Sequence, residues 1–518
     1  MIKTGLLLFC VALVSCAGAQ AAELELHHAD FHARVGMKVY AAVGDAALAA
    51  SGLQATLKGP AGEKTVLDKK GKLDAEEAIS LNFRELSKGK YLLNVNLLDQ
   101  EGKSLKSATR EFEKPYDGVP RVGLDENNAI CVKGKPFFPV TSWCLSSEAD
   151  LAKWAPYVNT FQGVGFNPPD WTIEGCRRIM DLAQKHGKMY IGPVRGAYWA
   201  KGGPVTGTCW YKDENGKKVQ EVTADHEKIA AYVDALKDHP ALLLWHWHDE
   251  PELGDKVFIS PEESRKWAEI SHQHDSQHPV KLNNSGGWFS RPLENWAYKR
   301  IKTYTYQGNT IPGPRRVTLA DVMCQDFYPI AYQNDKPYDN SVEAMCLGMD
   351  RMVELNRNLT GFMACVETCD MDLKKPAPAP TPEEIRMLCW ANIVHGARGI
   401  NWFHYFAETP RENLAEMARF LEQITRLTPE VCGPVYTGRI TKTEAKGGRV
   451  DFMATQTGHT VTLFAVNLKR TPETVTFTLD KAPKRITVVD ENRTLEVKDQ
   501  VFTDSFAPLA VHIYRLDL

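Results

Sequence analysis

The sequence has no excess of positive charge, because its 62 lysines and arginines are outnumbered by 65 aspartates and glutamates and its formal net charge is −3. Proteins that bind nucleic acids usually carry a basic surface, so this composition argues against a nucleic-acid partner. The chain also lacks any long apolar run after its first residues, so no later segment is predicted to span a membrane. Nothing in the sequence implies a cofactor. Its 518 residues predict about three domains.

The first residues have the three-part layout of a secretory signal, which we place at 1–21. Lys3 precedes the apolar run Leu6–Val14, which is too short to cross a bilayer, and small residues follow it. The run ends in "LVSC", which resembles a bacterial lipobox, so we expect lipidation of Cys16. Cleavage within "AGAQAA" is the alternative. The prediction is an exported bacterial protein of the periplasm or outer membrane that a lipid holds to the membrane.

Cysteine is not rare, yet its placement argues against a disulfide framework. Without Cys10 and Cys16, ten of the twelve cysteines remain. The even number in an exported chain favours pairing. However, Cys324 and Cys365 lie in apolar runs typical of buried strands, where cysteine behaves as a small hydrophobic residue. We expect mostly free, buried thiols, with one or two bridges left open.

The pattern of apolar and polar residues divides the rest of the chain into three regions. Residues 22–117 contain short alternating runs separated by turn residues, which predict an immunoglobulin-like β-sandwich. In 118–428, short apolar runs alternate with amphipathic helical stretches, as in successive β-α units around a parallel sheet. In 429–518 the short alternating runs return without helical stretches between them, which predicts a second β-sandwich. The fold class is therefore α/β, a (β/α)8 TIM barrel with flanking β domains.

Eight apolar runs can be counted in the middle region, which is the number that a (β/α)8 barrel requires. One predicted helix between them ends before Gly187, and another begins with Thr381 as N-cap and Pro382 in its first turn. In chain order the predicted strands are "FFPVTSW", "VNTFQGV", "KMYIGPV", "ALLLWHWHDE", "PVKLNN", "DVMCQDFYPI", "GFMACVET" and "GINWFHYF".

Active sites of such barrels are built at the carboxyl ends of the strands. Glu250 follows the fourth predicted strand and Glu367 ends the seventh, so the two should face each other across the mouth. Glycosidic cleavage needs one carboxylic acid for the leaving oxygen and one carboxylate beneath the anomeric carbon. Either residue alone is as well explained as a salt-bridged strand end, but the pair on these two strands favours catalysis.

This pattern resembles the clan A glycoside hydrolases, which are retaining (β/α)8 enzymes. Glu250 in "HDEP" matches the acid/base of that clan, and Glu367 in "VET" matches its nucleophile. The resemblance implies that Tyr328 in "QDFYPI" hydrogen-bonds the nucleophile and that Trp402 in "NWFHY" forms an aromatic floor for the sugar. Where the clan usually has Asn, this chain has Asp249, which could accept from a sugar hydroxyl but could not donate to it.

Further substrate-binding candidates are polar or aromatic residues after other predicted strands, namely Arg195, Trp199 and Asn284, for each of which loop packing is at least as good an explanation. His248, in the fourth predicted strand, is expected to line the site. The "HWHDE" sequence, with His246, His248 and Glu250 on one face of a strand, also permits the hypothesis of a metal site. Such a site needs additional ligands from other strand ends, and His404 is the only other histidine that is well placed.

The prediction is a retaining glycoside hydrolase that acts on an oligo- or polysaccharide, with Glu250 as acid/base and Glu367 as nucleophile. Two alternatives stay open. One is a non-catalytic carbohydrate-binding surface lipoprotein on a hydrolase-like barrel, and the other is a metal-dependent barrel hydrolase.

Overall fold

A computed structural model describes residues 24–44, 50–143, 147–162, 172–192, 205–212, 218–253, 259–332, 339–370, 379–404 and 408–518. The chain forms two compact units. The first comprises residues up to His27, Val39–Ile79 and Tyr91–Glu111, and the second comprises His28–Lys38, Ser80–Lys90 and Phe112–Leu518.

The amino-terminal strands form two sheets with the orders β1-β2-β5 and β4-β3-β6-β7. Their alternating buried and exposed residues fit the alternating apolar pattern of the sequence. These sheets are present as predicted, and their immunoglobulin-like arrangement stays a prediction. The strands are β1 (Glu25–His27), β2 (Gly36–Ala42), β3 (Gly52–Gly59), β4 (Gly62–Lys70), β5 (Glu76–Asn82), β6 (Gly89–Leu98) and β7 (Ser104–Lys114).

Eight parallel strands form the central sheet, and each contains part of one of the eight predicted runs. Their order, β11-β20-β19-β18-β17-β16-β13-β12, follows the chain around a (β/α)8 barrel. They are β11 (Val140–Ser142), β12 (Thr160–Gln162), β13 (Met189–Ile191), β16 (Leu242–Asp249), β17 (Val280–Ser285), β18 (Val322–Asp326), β19 (Gly361–Glu367) and β20 (Ile400–Phe403). A small antiparallel sheet, β8 (Val122–Leu124), β9 (Ile130–Val132) and β10 (Lys135–Pro136), precedes them, and a hairpin, β14 (Val205–Lys212) and β15 (Lys218–Ala224), follows β13.

Asn159 closes the barrel between its first and second strands. Its backbone N–H donates to the carbonyl of Val140 at 3.0 Å, and its side-chain oxygen accepts from the Val140 N–H at 2.8 Å. The side-chain nitrogen donates to the carbonyl of Phe138 at 2.9 Å. One asparagine therefore satisfies backbone groups at the point where the two end strands meet.

Eight helices are described in the barrel region, and several begin and end where the sequence indicated. Thr381 caps one helix in a capping box with Glu384, and Pro382 begins its first turn. Gly187 follows another helix with a φ of +65°, a conformation that suits glycine. The helices are α1 (Glu148–Trp154), α2 (Ile173–Lys185), α3 (His226–Leu236), α4 (Pro261–His274), α5 (Trp296–Lys302), α6 (Val342–Leu355), α7 (Pro382–Val394) and α8 (Arg411–Val431). None of these described helices is both long and apolar enough to span a bilayer.

The carboxyl-terminal strands form a three-stranded sheet, β21-β24-β27, and a five-stranded sheet, β22-β23-β28-β25-β26. They belong to the same compact unit as the barrel, and Phe464 of β23 stacks on Trp390 of α7. The strands are β21 (Ile440–Glu444), β22 (Val450–Thr457), β23 (Thr460–Asn467), β24 (Glu473–Leu479), β25 (Arg485–Val488), β26 (Arg493–Leu495), β27 (Val501–Phe506) and β28 (Val511–Asp517).

The cysteines whose state the structure gives are free and buried, as the sequence predicted: Cys131, Cys176, Cys324, Cys346, Cys365, Cys369, Cys389 and Cys432.

Candidate active site

The fourth barrel strand, β16, contains a bulge just before the predicted acid. His246 pairs with Lys281 of β17, but Asp249 pairs with Asn283, so three residues of β16 span two of its neighbour. As a result the Asp249 carboxylate reaches the barrel interior, where its Oδ1 accepts a hydrogen bond from Asn283 Nδ2 at 2.8 Å. The bulge therefore places the Asp249 side chain on the interior face of the strand end, next to Glu250.

Glu250 follows the strand in a left-handed conformation with a φ of +43°. Such backbone costs a non-glycine residue about 1 to 3 kcal/mol and persists only where surrounding contacts enforce it. Its N–H donates to the carbonyl of Asn283 at 2.9 Å, and its side chain is partly exposed. The Glu250 charge contributes to raising the pKa of Tyr328, after burial and the nearer groups, so Glu250 lies within electrostatic reach of that hydroxyl.

Glu367 ends the seventh strand, β19. It lies two residues after Cys365 and therefore on the same face of the strand, which points into the barrel. The residue is fully buried. Backbone N–H groups of Ile330 and Ala331 donate to its two carboxylate oxygens at 2.7 and 2.8 Å. Burial raises the pKa of Glu367 to about 8, and these two hydrogen bonds partly oppose that rise.

Asp326 ends the sixth strand, β18, beside Asp249. Asn283 Nδ2 also donates to Asp326 Oδ2, at 3.2 Å. Burial, followed by the charge of Asp249, raises the pKa of Asp326 to about 7. The mouth thus contains a second pair of carboxylates, joined by one amide.

Tyr328 lies within this cluster, although its neighbours differ from the predicted one. Its ring packs on Phe403 with centroids 4.9 Å apart. Burial and the adjacent Asp326 carboxylate raise the pKa of the Tyr328 hydroxyl well above its ordinary value. The groups that donate to Glu367 are instead the backbone N–H groups of Ile330 and Ala331, in the segment that follows Tyr328. The structure therefore places the Tyr328 hydroxyl against Asp326.

Trp402 is not brought into the barrel interior. Its indole N–H donates to the carbonyl of Tyr157 at 3.0 Å, and its ring meets Phe420 of α8 edge-on at 5.5 Å. Because side chains alternate along a strand, the aromatic of β20 that reaches the interior end is the next residue, Phe403, which pairs with Glu367 across the sheet. Phe403 takes the position at which the sequence placed Trp402.

The tryptophans of β16 also point outward, away from the two glutamates. Trp245 donates to Asp275 at 2.8 Å and Trp247 to Ser271 at 2.7 Å, both in the layer of helices. Asn284 also leaves the interior, because its Nδ2 donates to the buried Glu252 at 3.0 Å.

Three predicted positions, Arg195, Trp199 and Cys16, fall outside the residues that the structure describes. For His248 only the backbone is described.

The structure adds residues that sequence reasoning missed or ranked low: Asn283, Glu252, Phe403 and Asp326. Asp326 had a signal, since it directly follows the apolar run of the sixth strand. Asn283 and Glu252 had none, because a buried carboxylate-to-amide contact between strand ends leaves no periodic pattern.

Among the described residues, one group has metal-ligand atoms within 4.8 Å of one another: Cys346, His395 and Asp451. It lies on α6, after α7 and on β22, away from the strand ends. His395 Nδ1 faces Asp350 at 2.7 Å, its Nε2 faces Asp451 at 3.1 Å, and Arg449 pairs with Asp451 at 2.8 Å. Burial lowers the pKa of His395, but these carboxylates raise it well above its ordinary value. The group is therefore a network of ion pairs around an imidazolium.

No model of a known protein family matches the sequence, and no curated protein matches it. Similar solved structures include a GH30 endoxylanase from Clostridium papyrosolvens, with 13% identity, a TM-score of 0.40, and coverage of 73% of this chain and 95% of that one. A glycoside hydrolase family 5 structure from Bacteroides vulgatus has 12% identity, a TM-score of 0.47, and coverage of 76% and 93%. A β-glucuronidase from Ruminococcus gnavus has 13% identity, a TM-score of 0.34, and coverage of 77% and 67%. At these identities and TM-scores the resemblance assigns no function.

Proposed function

We propose that this protein is a glycoside hydrolase that cleaves a β-linked sugar of an oligo- or polysaccharide with retention. One observation carries the proposal: Glu250 and Glu367 stand at the carboxyl ends of the fourth and seventh strands of an eight-stranded parallel barrel. Catalytic residues of such barrels come from these ends, and glycosidic cleavage uses two carboxyl groups.

The two carboxyl groups are held in different ways, and the difference suits two roles. Glu367 is fixed by the amides of Ile330 and Ala331, which suits a nucleophile that must stay in line with the anomeric carbon. Glu250 is partly exposed on a turn, which suits an acid that delivers a proton to the leaving oxygen and then removes one from water.

In the first step, Glu250 protonates the glycosidic oxygen while Glu367 forms a bond to the anomeric carbon, and the aglycone leaves as an alcohol. In the second step, Glu250 takes a proton from water, which displaces Glu367 and restores both groups. The sugar keeps its configuration because the anomeric carbon is inverted twice.

A panel of aryl β-glycosides tests the proposal. We expect hydrolysis of at least one, and proton NMR of the first-formed sugar should show the retained anomer. Glu367→Gln should abolish turnover. Glu250→Gln should stall at the intermediate on substrates with an acidic leaving group until azide is added. Glu473→Gln, which alters a buried carboxylate of the carboxyl-terminal sheet, serves as the control. An inverted anomer, or normal activity of both active-site variants, would disprove the assignment.

A second candidate is a non-catalytic carbohydrate-binding protein on the same barrel. The complete burial of Glu367 favours it, because a nucleophile needs an open path to the anomeric carbon. Binding of a glycan with no turnover across the panel would select this candidate.

We also propose that the protein is exported and held to the membrane by a lipid on Cys16, and that both flanking β regions are sandwiches, the first immunoglobulin-like.

A further inference from the structure

The turn that carries Glu250 is attached to the next strand on both faces of the sheet. On the inner face, Asp249 accepts from Asn283 Nδ2 at 2.8 Å. On the outer face, Glu252 accepts from Asn284 Nδ2 at 3.0 Å. Neighbouring residues of one strand thus hold the carboxylates on either side of Glu250.

Glu252 is the more unusual of these two carboxylates, because it is completely buried. Its other oxygen accepts from the backbone N–H of Ser285 at 2.5 Å. Burying a carboxyl group is costly unless it is hydrogen-bonded, and the two partners that Glu252 has outside its own backbone lie at the end of β17. A side chain held there at this cost fixes the position of the backbone that carries it.

Glu250 has a backbone that needs such support. Its φ of +43° is unfavourable for a residue with a side chain, and the turn includes the bond from Leu253 N–H to the Glu250 carbonyl at 3.2 Å. Without Glu252, the turn would keep the bonds from Glu250 N–H to the Asn283 carbonyl and from Ile259 N–H to the Pro251 carbonyl. It would lose the side-chain attachment to the end of β17.

We infer that Glu252 is a positioning residue for Glu250, since its contacts with Asn284 and Ser285 hold the turn so that the Glu250 carboxyl group stays in reach of the leaving oxygen. The inference rests on the proposed function, in which Glu250 is the acid/base. A displacement of about 1 Å in an acid can reduce a rate about a hundredfold.

Varying the leaving group of the substrate distinguishes a positioning role for Glu252 from a merely structural one. In Glu252→Ala, kcat/KM should fall about a hundredfold for a phenyl glycoside, whose leaving oxygen needs a proton. It should change less than about threefold for the dinitrophenyl glycoside, whose leaving group departs without one. Equal falls for both substrates, or no fall for either, would overturn the inference.

Glu252→Gln should restore most of the lost rate. The side-chain oxygen of the new glutamine can accept from the Ser285 N–H. Its side-chain NH2 can donate to Asn284 Oδ1 once the Asn284 amide has turned over, and that oxygen has no hydrogen-bond partner among the described residues. Glu473→Gln should behave as the wild type on both substrates. If Glu252→Ala does not fold, Asn284→Ala removes one of the same contacts and should show the same leaving-group dependence at smaller size.

Hydrogen exchange separates failure of this inference from failure of the proposed function. The backbone N–H groups of 249–253, apart from Pro251, which has none, should exchange at least about tenfold faster in Glu252→Ala than in the wild type or Glu252→Gln, whether or not any glycoside is cleaved. If no glycoside is cleaved but exchange rises in this segment alone, the proposed function fails and the attachment stands. Unchanged exchange would overturn the attachment itself.

Discussion

Asp249 and Asp326 accept hydrogen bonds from the same side-chain nitrogen, Nδ2 of Asn283, at 2.8 and 3.2 Å. Two carboxylates held this closely repel each other when both are ionised, so one keeps its proton to a higher pH. An asparagine at position 249 could donate a hydrogen bond at any pH. The Asp249–Asp326 pair can donate one only while one of the two carboxyl groups keeps its proton, so its capacity to donate depends on pH.

Asp249→Asn should lower the pKa of Asp326. Burial and then the Asp249 charge raise this pKa to about 7, and the substitution removes the second cause. Carboxyl carbon NMR of Asp326 should therefore titrate below pH 7. Asp125, whose pKa burial raises to about 6, lacks Asp249 among its influences and serves as the internal control. An Asp326 titration that does not move would show that the two groups are uncoupled.

Cys16→Ser should release the protein from the membrane fraction of cells, if the "LVSC" sequence directs lipidation. The reason is that the only predicted attachment is covalent lipid on that thiol. Immunoblots of soluble and membrane fractions make the comparison, with Cys10→Ser, inside the apolar run, as the control. A Cys16→Ser protein that still sediments with membranes would contradict the anchor.

The eight strands could be predicted because each is an apolar run flanked by helical periodicity, and strand ends are where barrels place their chemistry. Glu250 and Glu367 follow from that rule. Side-chain direction was harder: Trp402 and Phe403 are neighbours in a fully apolar strand, and composition does not say which faces the interior. The bulge in β16 and the contact of Glu252 with Asn284 depend on pairing between strands distant in sequence, which one sequence does not reveal.

Glu252→Gln should make stability less sensitive to alkaline pH. Burial raises the pKa of Glu252 to about 7, above the value of about 4.3 expected in the unfolded chain. A raised folded pKa contributes stability that is fully present below pH 4 and is lost as pH rises through about 7. Urea unfolding should find both proteins similar at pH 5 and the variant more stable at pH 9, by on the order of 3 kcal/mol. Parallel pH dependences would mean that Glu252 is ionised when folded.

Glu367 should give an acid limb to the pH–rate profile at unusually high pH. A nucleophile must be ionised, and burial raises the pKa of this carboxyl group to about 8, against the opposing hydrogen bonds of Ile330 and Ala331. The kcat/KM for a dinitrophenyl glycoside, which does not depend on proton delivery, should therefore rise about tenfold per pH unit up to roughly pH 8 and then level off. Glu367→Gln gives an independent readout, because it removes the same titration from folding. The wild type should lose stability relative to this variant as pH rises from 6 to 9, even though the Gln amide opposes one backbone N–H and costs about 1 to 3 kcal/mol at every pH. An acid limb near pH 4, together with a stability difference that does not change with pH, would mean that Glu367 is ionised throughout and that the two backbone amides outweigh its burial.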